Sequence, residues 1–238
     1  MLVTIAVVQF RIQQFVPAEN LRRAEQFIQQ AATQANVIVF PEDFVTGPLN
    51  GNACMADYEH RYVQYFQQLA KKYAIDIVPG SIIEGNESDG KLYNTTYYID
   101  SRGEIKGRYC KVNLWHSERG YITPGQEFSV FDTAYGKAGL IICWDLIFPE
   151  VFRAMLQQGV ELVFCPSYWC FEDAGIGLKH DLNSEVILVN ALCTARAFEN
   201  EIIVIYANAA NDERFSDQSD QPLFLGFTAW TIVCNSMK

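Results

Sequence analysis

Short apolar runs alternate with amphipathic segments through the first third of the chain. Leu2–Phe10, Val37–Phe40 and Ile75–Pro79 are rich in apolar and β-branched residues, which is typical of buried strands. The two intervening segments, Ala18–Ala35 and Tyr58–Tyr73, carry apolar residues at helical spacing with polar residues between them. The pattern therefore predicts the order β-α-β-α-β for this part of the chain.

From residue 81 onwards, the pattern changes to strands that follow one another without helices. Tyr93–Ile99 and Glu104–Cys110 are separated by Asp-Ser-Arg-Gly, whose Asp and Gly favour a tight turn, so they predict a hairpin. The remaining predicted elements are strands at Phe128–Asp132, Lys137–Ile142, Glu161–Cys165 and Glu201–Ala207, and helices at Val151–Gln158 and Ser184–Glu199. This mixture favours a mixed sheet, or two stacked sheets, with helices outside.

Composition and charge favour a single-domain protein and argue against nucleic-acid and membrane partners. The chain has 238 residues, of which 50% are hydrophobic, and this suits one large domain over residues 1–238. The formal net charge is −10 and the basic residues are scattered, so we expect no nucleic-acid partner. No apolar run approaches the length of a membrane span, and the N-terminus lacks the basic region of a signal peptide. We expect no membrane partner.

The cysteines and histidines favour a reduced protein without a metal site. Seven cysteines is an odd number, and most lie within apolar runs, which suits free thiols in the cytoplasm. The three histidines are scattered, and no Cys-x-x-Cys or His-x-x-x-His pair occurs. We therefore expect a cytoplasmic protein with no bound metal ion.

Cys143 is predicted at a strand-to-helix corner. The apolar run Gly139–Ile142 ends abruptly at this cysteine, shortly before a Pro-Glu pair that can open a helix. Side chains at the carboxyl ends of buried strands face the crevice in which open α/β sheets bind ligands, and a nearby helix N-terminus favours a thiolate. The position suits a nucleophile, although cysteine is also among the most frequently buried residue types.

Two further polar side chains follow predicted strands, Glu42 after the second strand and Lys111 after the hairpin. Attack of a thiol on an amide requires a base for the thiol proton, a donor for the developing oxyanion and an acid for the leaving amine. Glu42 can act as base and then acid. Lys111 and the backbone N–H of Trp144 can stabilise the oxyanion, while Cys143 forms a thioester. From position alone, Glu42 equally fits a helix-start acid and Lys111 a solvated strand end.

Three ordered blocks of the sequence resemble the signatures of the nitrilase superfamily, the carbon–nitrogen hydrolases. They are Phe40-Pro41-Glu42, Lys111-Val112-Asn113-Leu114, and Cys143-Trp144-Asp145 with Phe148-Pro149-Glu150. The resemblance implies an α/β fold of the four-layer α-β-β-α sandwich type, with a Glu42-Lys111-Cys143 triad and neither a metal ion nor an organic cofactor. It also implies that Glu118 orients the substrate or the attacking water.

Departures from common family patterns narrow the expected substrate. Many amidases carry an arginine where this chain has Ile147, and a pocket without it is less suited to substrates bearing a carboxylate. Members often have a histidine where this chain has Asn113, and Leu146 stands where true nitrilases have Asn. These features favour an amidase acting on small linear amides.

Four alternatives stay open at this point. The chain could instead be an N-carbamoyl hydrolase or a nitrile hydrolase of the same superfamily. It could be a catalytically silent binding or regulatory homologue, which the presence of Glu42, Lys111 and Cys143 argues against. Cys143 could also be a redox-sensing thiol, which would require a low thiol pKa.

We also make predictions about the residues of the substrate pocket and about the oligomeric state. Tyr168 and Trp169, in an aromatic and acidic loop after a predicted strand, are candidate pocket residues, although an interface or core cluster would use the same residue types. Family members form dimers or larger oligomers, and we expect Val151–Leu156 and the terminal strand to be buried between subunits. Leu223–Val233 matches a late strand of the family, and we expect the usual C-terminal extension after it to be lacking.

Overall fold

The computed structural model describes residues 3–210, in which two β-sheets lie between two pairs of helices. The first sheet contains β1 (Ile5–Val7), β2 (Val37–Val39), β3 (Asp76–Val78), β4 (Ser81–Asn86), β5 (Lys91–Ile99) and β6 (Ile105–Cys110). Strands β1, β2 and β3 are parallel neighbours. Strand β5 runs antiparallel to β3 and also pairs with β4 and β6.

The second sheet contains β7 (Ser129–Thr133), β8 (Gly136–Leu140), β9 (Leu162–Ser167) and β10 (Ile203–Asn208). Strands β8, β9 and β10 are parallel, and β7 runs antiparallel to β8. Strand β9 runs two residues beyond its predicted end and includes Pro166. The register of β8 on β9 ends opposite Phe164, so the missing N–H of this proline breaks no pairing with β8.

Side-chain alternation on β2 shows how the layers form. Val37 and Val39 point into a core that lies between the sheets, whereas Ile38 points into a second core. The second core contains Ile28 of α1 (Pro17–Ala31) and Phe66 of α2 (Arg61–Tyr73). The two helices therefore cover the outer face of the first sheet.

The core between the sheets continues through the second sheet. Val163 of β9 belongs to the same cluster as Phe152 of α3 (Pro149–Leu156) and Cys193 of α4 (Ser184–Asn200). Helices α3 and α4 therefore cover the outer face of the second sheet. The order of layers is α-β-β-α, which confirms the predicted fold class.

The predicted hairpin is present as β5 and β6, and β4 extends it to a three-stranded meander. Strand β4 was not predicted because its sequence mixes apolar residues with Ser, Glu, Gly and Asn. Its Glu84 is buried, and the carboxylate accepts hydrogen bonds from Tyr97 of β5 and from Arg108 of β6, at 3.0 Å for the arginine. This polar residue is accommodated by partners on neighbouring strands, which a single-strand pattern does not reveal.

Other boundaries also differ from the predictions. Helix α2 begins at Arg61 rather than Tyr58, because the carboxylate of Asp57 accepts the N–H groups of Arg61 and Tyr62 at 3.0 and 2.8 Å and caps the first turn. Strand β1 is shorter than Leu2–Phe10, and α1 ends at Ala31 rather than Ala35. Within residues 3–210, no helix is long and apolar enough to cross a membrane.

The prediction that Val151–Leu156 is covered by a second subunit is wrong for its main apolar side chains. Val151, Phe152 and Met155 are buried in the core of their own chain. Exposed apolar side chains lie instead on α4, where Ile187 and Phe198 are 57% and 74% exposed. The predicted strand at Leu223–Val233 lies outside the described residues, and a single domain over residues 1–238 stays a prediction.

Candidate active site

The carboxyl ends of strands from both sheets meet at a cavity of about 280 Å³. Glu42 follows β2, Lys111 follows β6 and Cys143 follows β8. Glu118 lies on a short 3₁₀ turn that comes after β6. All four side chains line the same cavity, so the structure brings together the four residues that the sequence singled out for chemistry.

Lys111 bridges the two glutamates. Its Nζ lies 2.8 Å from Oε1 of Glu42 and 2.7 Å from Oε2 of Glu118. The three residues are buried, with exposed fractions of 2% for Lys111, 3% for Glu42 and 8% for Glu118. An ammonium group thus lies between two carboxylates at a largely buried position.

Asn94 of β5 ties the same two carboxylates together, and sequence reasoning did not identify it as a site residue. Its Nδ2 donates to Glu42 Oε1 at 2.9 Å and to Glu118 Oε1 at 2.8 Å. Its backbone carbonyl accepts the N–H of Lys111 at 2.8 Å. One residue therefore fixes the positions of all three charged groups.

Cys143 occupies a strained corner. Its φ is +47°, in the left-handed region that non-glycine residues rarely adopt, and such strain is often retained at functional sites. The residue begins a 3₁₀ helix, Cys143–Ile147, and its Sγ lies 4.0 Å from the carbonyl oxygen of Tyr168. The N–H groups of the first helical turn have no intrahelical acceptor, so the Trp144 N–H suits an oxyanion donor.

Asp145 holds this corner against the segment that follows Lys111. Its Oδ1 accepts the backbone N–H and the side-chain amide of Asn113, both at 2.9 Å. Its Oδ2 accepts the N–H of Ile142 at 3.0 Å and the hydroxyl of Tyr109 at 2.9 Å. The carboxylate is fully buried and links β8, β6 and the nucleophile corner.

Tyr168 and Trp169 both line the cavity. The backbone N–H of Tyr168 donates to Oε2 of Glu42 at 2.9 Å, so this residue also positions the glutamate through its main chain. Trp169 is held by its Nε1, which donates to Glu185 at 2.6 Å, and by its N–H, which donates to Asn208 at 2.8 Å. The loop that carries both residues is thereby fastened to α4 and β10.

Burial and the neighbouring charges favour the protonated form of the Cys143 thiol. Burial is the main cause that raises the pKa of the Cys143 thiol well above its usual value, the charge of Glu42 raises it further, and Lys111 lowers it. Burial also raises the pKa of Glu42, whereas the Lys111 charge and hydrogen bonds, including one with Cys143, lower it. Burial lowers the pKa of Lys111, but the two glutamates outweigh this and leave it well above the usual value.

A family model described as carbon–nitrogen hydrolase matches residues 4–229. The chain belongs to the carbon–nitrogen hydrolase family. Two similar members of this family are a 2-oxoglutaramate amidase of Bacillus subtilis (strain 168) and the omega-amidase NIT2 of Homo sapiens. The first is 32% identical over 223 residues, which cover 91% of this chain and 81% of the relative. The second is 30% identical over 226 residues, which cover 89% and 76%.

Solved structures show the same likeness. Nit3 of Saccharomyces cerevisiae, a member of branch 10 of the nitrilase superfamily, matches with a TM-score of 0.76 and 26% identity, covering 90% of this chain and 78% of that one. A glutamate-to-glutamine mutant of the amidase from Nesterenkonia sp. AN1 matches with a TM-score of 0.76 and 25% identity, covering 88% and 77%. In that amidase, the acetamide moiety of fluoroacetamide is added covalently at the active site cysteine.

The contacts of Asp145 predict the effect of removing its charge. Asp145→Asn places an NH₂ group against donors that the carboxylate now satisfies, so we expect a loss of about 1–3 kcal/mol in the free energy of unfolding. Urea denaturation measures this loss. Asp132→Asn, at an exposed position on β7, is the matched control and should be near neutral. An Asp145→Asn protein as stable as the control would contradict the positioning role.

Proposed function

We propose that this chain hydrolyses the C–N bond of small linear amides through a thioester on Cys143. The observation that supports this most strongly is the buried Lys111 ammonium within 2.8 Å of Glu42 and 2.7 Å of Glu118, in a cavity that Cys143 also lines. Thiol, base and oxyanion donor are the three components that acyl transfer from an amide requires.

In the first half of the reaction, the Cys143 thiol gives its proton to Glu42 as the sulfur attacks the amide carbon. Oε2 of Glu42 accepts one hydrogen bond from the Tyr168 N–H and retains capacity for another, since a carboxylate oxygen has two acceptor positions. The tetrahedral oxyanion is stabilised by the Lys111 ammonium and the Trp144 N–H. The C–N bond then breaks, and Glu42 returns the proton to the leaving nitrogen.

In the second half, water attacks the thioester carbon and gives a proton to Glu42. The C–S bond breaks, the carboxylic acid leaves and the proton returns to sulfur. Glu118 acts as an orienting group, because its carboxylate is fixed by the Trp115 N–H at 2.7 Å as well as by Lys111 and Asn94. These contacts keep it in place beside the reacting centre while Glu42 moves the protons.

The raised thiol pKa distinguishes this function from redox sensing. A sensing cysteine reacts readily with peroxide because it is a thiolate at neutral pH. Burial and the neighbouring Glu42 raise the pKa of Cys143 instead, so the thiol needs a base at the moment of attack. This favours general-base catalysis over oxidation chemistry at this residue.

Replacing the nucleophile tests the covalent step. We expect Cys143→Ala and Cys143→Ser to abolish ammonia release from an amide such as butyramide while the fold is retained, because an alkyl group or a hydroxyl lacks the acidity and nucleophilicity of a thiol. Mass spectrometry of the native protein should find the acyl adduct on Cys143. The matched control is Cys54→Ser, since Cys54 is exposed and lies outside the cavity. An adduct on Cys165 or Cys110 would overturn the assignment.

Substituting the two glutamates separates their roles. With an unactivated amide, Glu42→Gln should stop acylation, because the amide side chain cannot accept the thiol proton. Glu118→Gln should retain slow acylation but impair turnover, so an acyl-enzyme becomes visible by intact mass. Glu150→Gln, at an exposed position, is the control. An exchange of these behaviours between the two variants would refute the division of labour.

We propose that the protein is a cytoplasmic homodimer or larger homo-oligomer that contacts its partner through α4. Ile187, Leu188 and Phe198 are exposed apolar side chains on this helix, and an exposed apolar patch of this kind favours a protein interface. The cysteines within residues 3–210 are free thiols, which suits a reducing compartment.

Light scattering tests the assembly. At micromolar concentration we expect at least a dimer, and Phe198→Glu should shift the mass toward the monomer because a buried, unpaired carboxylate disfavours association. Ile105→Glu alters an exposed apolar residue at the start of β6 and serves as the control. A monomeric native protein would contradict the proposed assembly, and a dimeric Phe198→Glu protein would contradict the proposed surface.

A further inference from the structure

The described lining of the cavity contains more acidic than basic side chains. Among the described lining residues, the carboxylic acids are Glu42, Asp43, Glu118 and Asp173, and Lys111 is the one basic side chain. Lys111 is engaged by two glutamates. One ammonium faces two carboxylic acids, so Lys111 is already paired and is not available to a substrate carboxylate, and Asp43 and Asp173 are two further acidic side chains in the lining.

Asp43 is a buried acid to which the proposed mechanism gives no role. It is 7% exposed, and its Oδ1 accepts the hydroxyl of Ser81 at 3.3 Å. Within residues 3–210, no side chain or backbone group hydrogen-bonds to its Oδ2, although the residue lines the cavity. Burial and the charges of Glu42 and Glu118 raise its pKa well above the usual value. A positive group in the cavity would favour its ionised form.

Asp173 stands on the 3₁₀ helix Phe171–Lys179, which follows the aromatic loop. Its Oδ2 accepts the N–H of Cys170 at 2.8 Å, and no group in the described part of the chain bonds to its Oδ1. Burial raises its pKa to about 6, so this carboxylate is mainly ionised above that pH. It offers a negative charge with an unused acceptor oxygen to a ligand in the cavity.

Aromatic rings form much of the remaining wall. Trp115, Trp144 and Trp169 form a continuous series, with ring centroids 4.2 Å apart for the first pair and 5.6 Å apart for the second. Tyr121 and Tyr168 line the same cavity. The faces of such rings attract cations through their quadrupole, most strongly when the cation is desolvated.

We propose that the substrate amide carries a positively charged group, an ammonium on a short aliphatic chain, which is bound by Asp173 and Asp43 between the aromatic rings. This deepens the proposed amide hydrolysis and rests on it. A cavity of about 280 Å³ lies near the lower end of the sizes usual for ligand sites, which suits a small substrate. The related 2-oxoglutaramate amidase is named for an amide that bears a carboxylate, so this chain would differ from it in the charge that it selects.

Three amides of similar size and different charge test this inference. They are 4-aminobutanamide, which is cationic, pentanamide, which replaces the ammonium by a methyl group, and succinamate, which is anionic. We expect kcat/KM at pH 7.5 to fall in that order, with at least about a tenfold preference for the cation over pentanamide. Calorimetry with Cys143→Ala should give the same order of affinity without turnover.

Variants then locate the charge recognition. Asp173→Asn should reduce the preference for 4-aminobutanamide over pentanamide by about tenfold. Asp43→Asn should act in the same direction, and asparagine tolerates the positive φ of +53° at this position. Glu172→Gln removes the adjacent exposed acid, which does not line the cavity, and should leave the preference intact.

The outcomes separate this inference from the proposed function. Equal or faster hydrolysis of pentanamide, or a cation preference that survives in the Asp43→Asn, Asp173→Asn double variant, overturns the charge recognition while amide hydrolysis stands. If none of the three amides is hydrolysed, the proposed function is wrong for this substrate class, and calorimetry with Cys143→Ala still decides the charge preference. Tighter binding of succinamate than of 4-aminobutanamide would refute the inference directly.

Discussion

The buried ammonium of Lys111 is the interaction on which the site depends. Glu42 and Glu118 are both largely withdrawn from water, and two carboxylates at such a site would repel each other if both were ionised. A positive charge within 2.8 Å of each permits ionised carboxylates in a buried position. Removing one member of a buried ion pair typically destabilises a protein by about 3–5 kcal/mol, because the remaining charge is left unpaired.

The fold brings these charges together because strands of both sheets end at the same place. Lys111 is held at the end of β6 by Asn94 and by Gly125, whose N–H donates to the Lys111 carbonyl at 2.8 Å. A Cβ at Gly125 would lie 2.2 Å from the carbonyl oxygen of Cys110, so only glycine permits this close approach. Asp145 joins the same segment to the cysteine corner. The thiol and the lysine are thus positioned by shared contacts.

Local sequence patterns predicted most of the strands and helices. Apolar and β-branched runs located most strands, and the ends of three of them pointed to Glu42, Lys111 and Cys143. The residues that fasten these groups were not identified, since their roles depend on distant partners. Asn94 lies 52 residues from Glu42, and the Tyr168 N–H lies 126 residues from the same carboxylate.

Dependence on distant partners also explains the errors in the predicted secondary structure. The sequence of β4 does not alternate between apolar and polar residues, because this strand buries a glutamate, Glu84. Its carboxylate is hydrogen-bonded by Tyr97 and Arg108 on other strands. The apolar face of α3 could pack in the core or in a subunit interface, judged by its sequence. In the structure, Val151, Phe152 and Met155 of this face are buried in the core. The acidic lining of the cavity includes Asp43 and Asp173, which lie 130 positions apart in the sequence and line the same cavity only in the folded chain.

The most direct test of the role of Lys111 is the rate of ammonia release after Lys111→Met, which removes the charge and leaves an unbranched side chain of nearly the same length. We expect a fall in kcat of about 10²–10³ or more, with a smaller change in KM, as for loss of an oxyanion donor. Lys106→Met, at an exposed position on β6, should retain the native rate. A Lys111→Met protein with the native kcat would contradict the central role given to this buried charge.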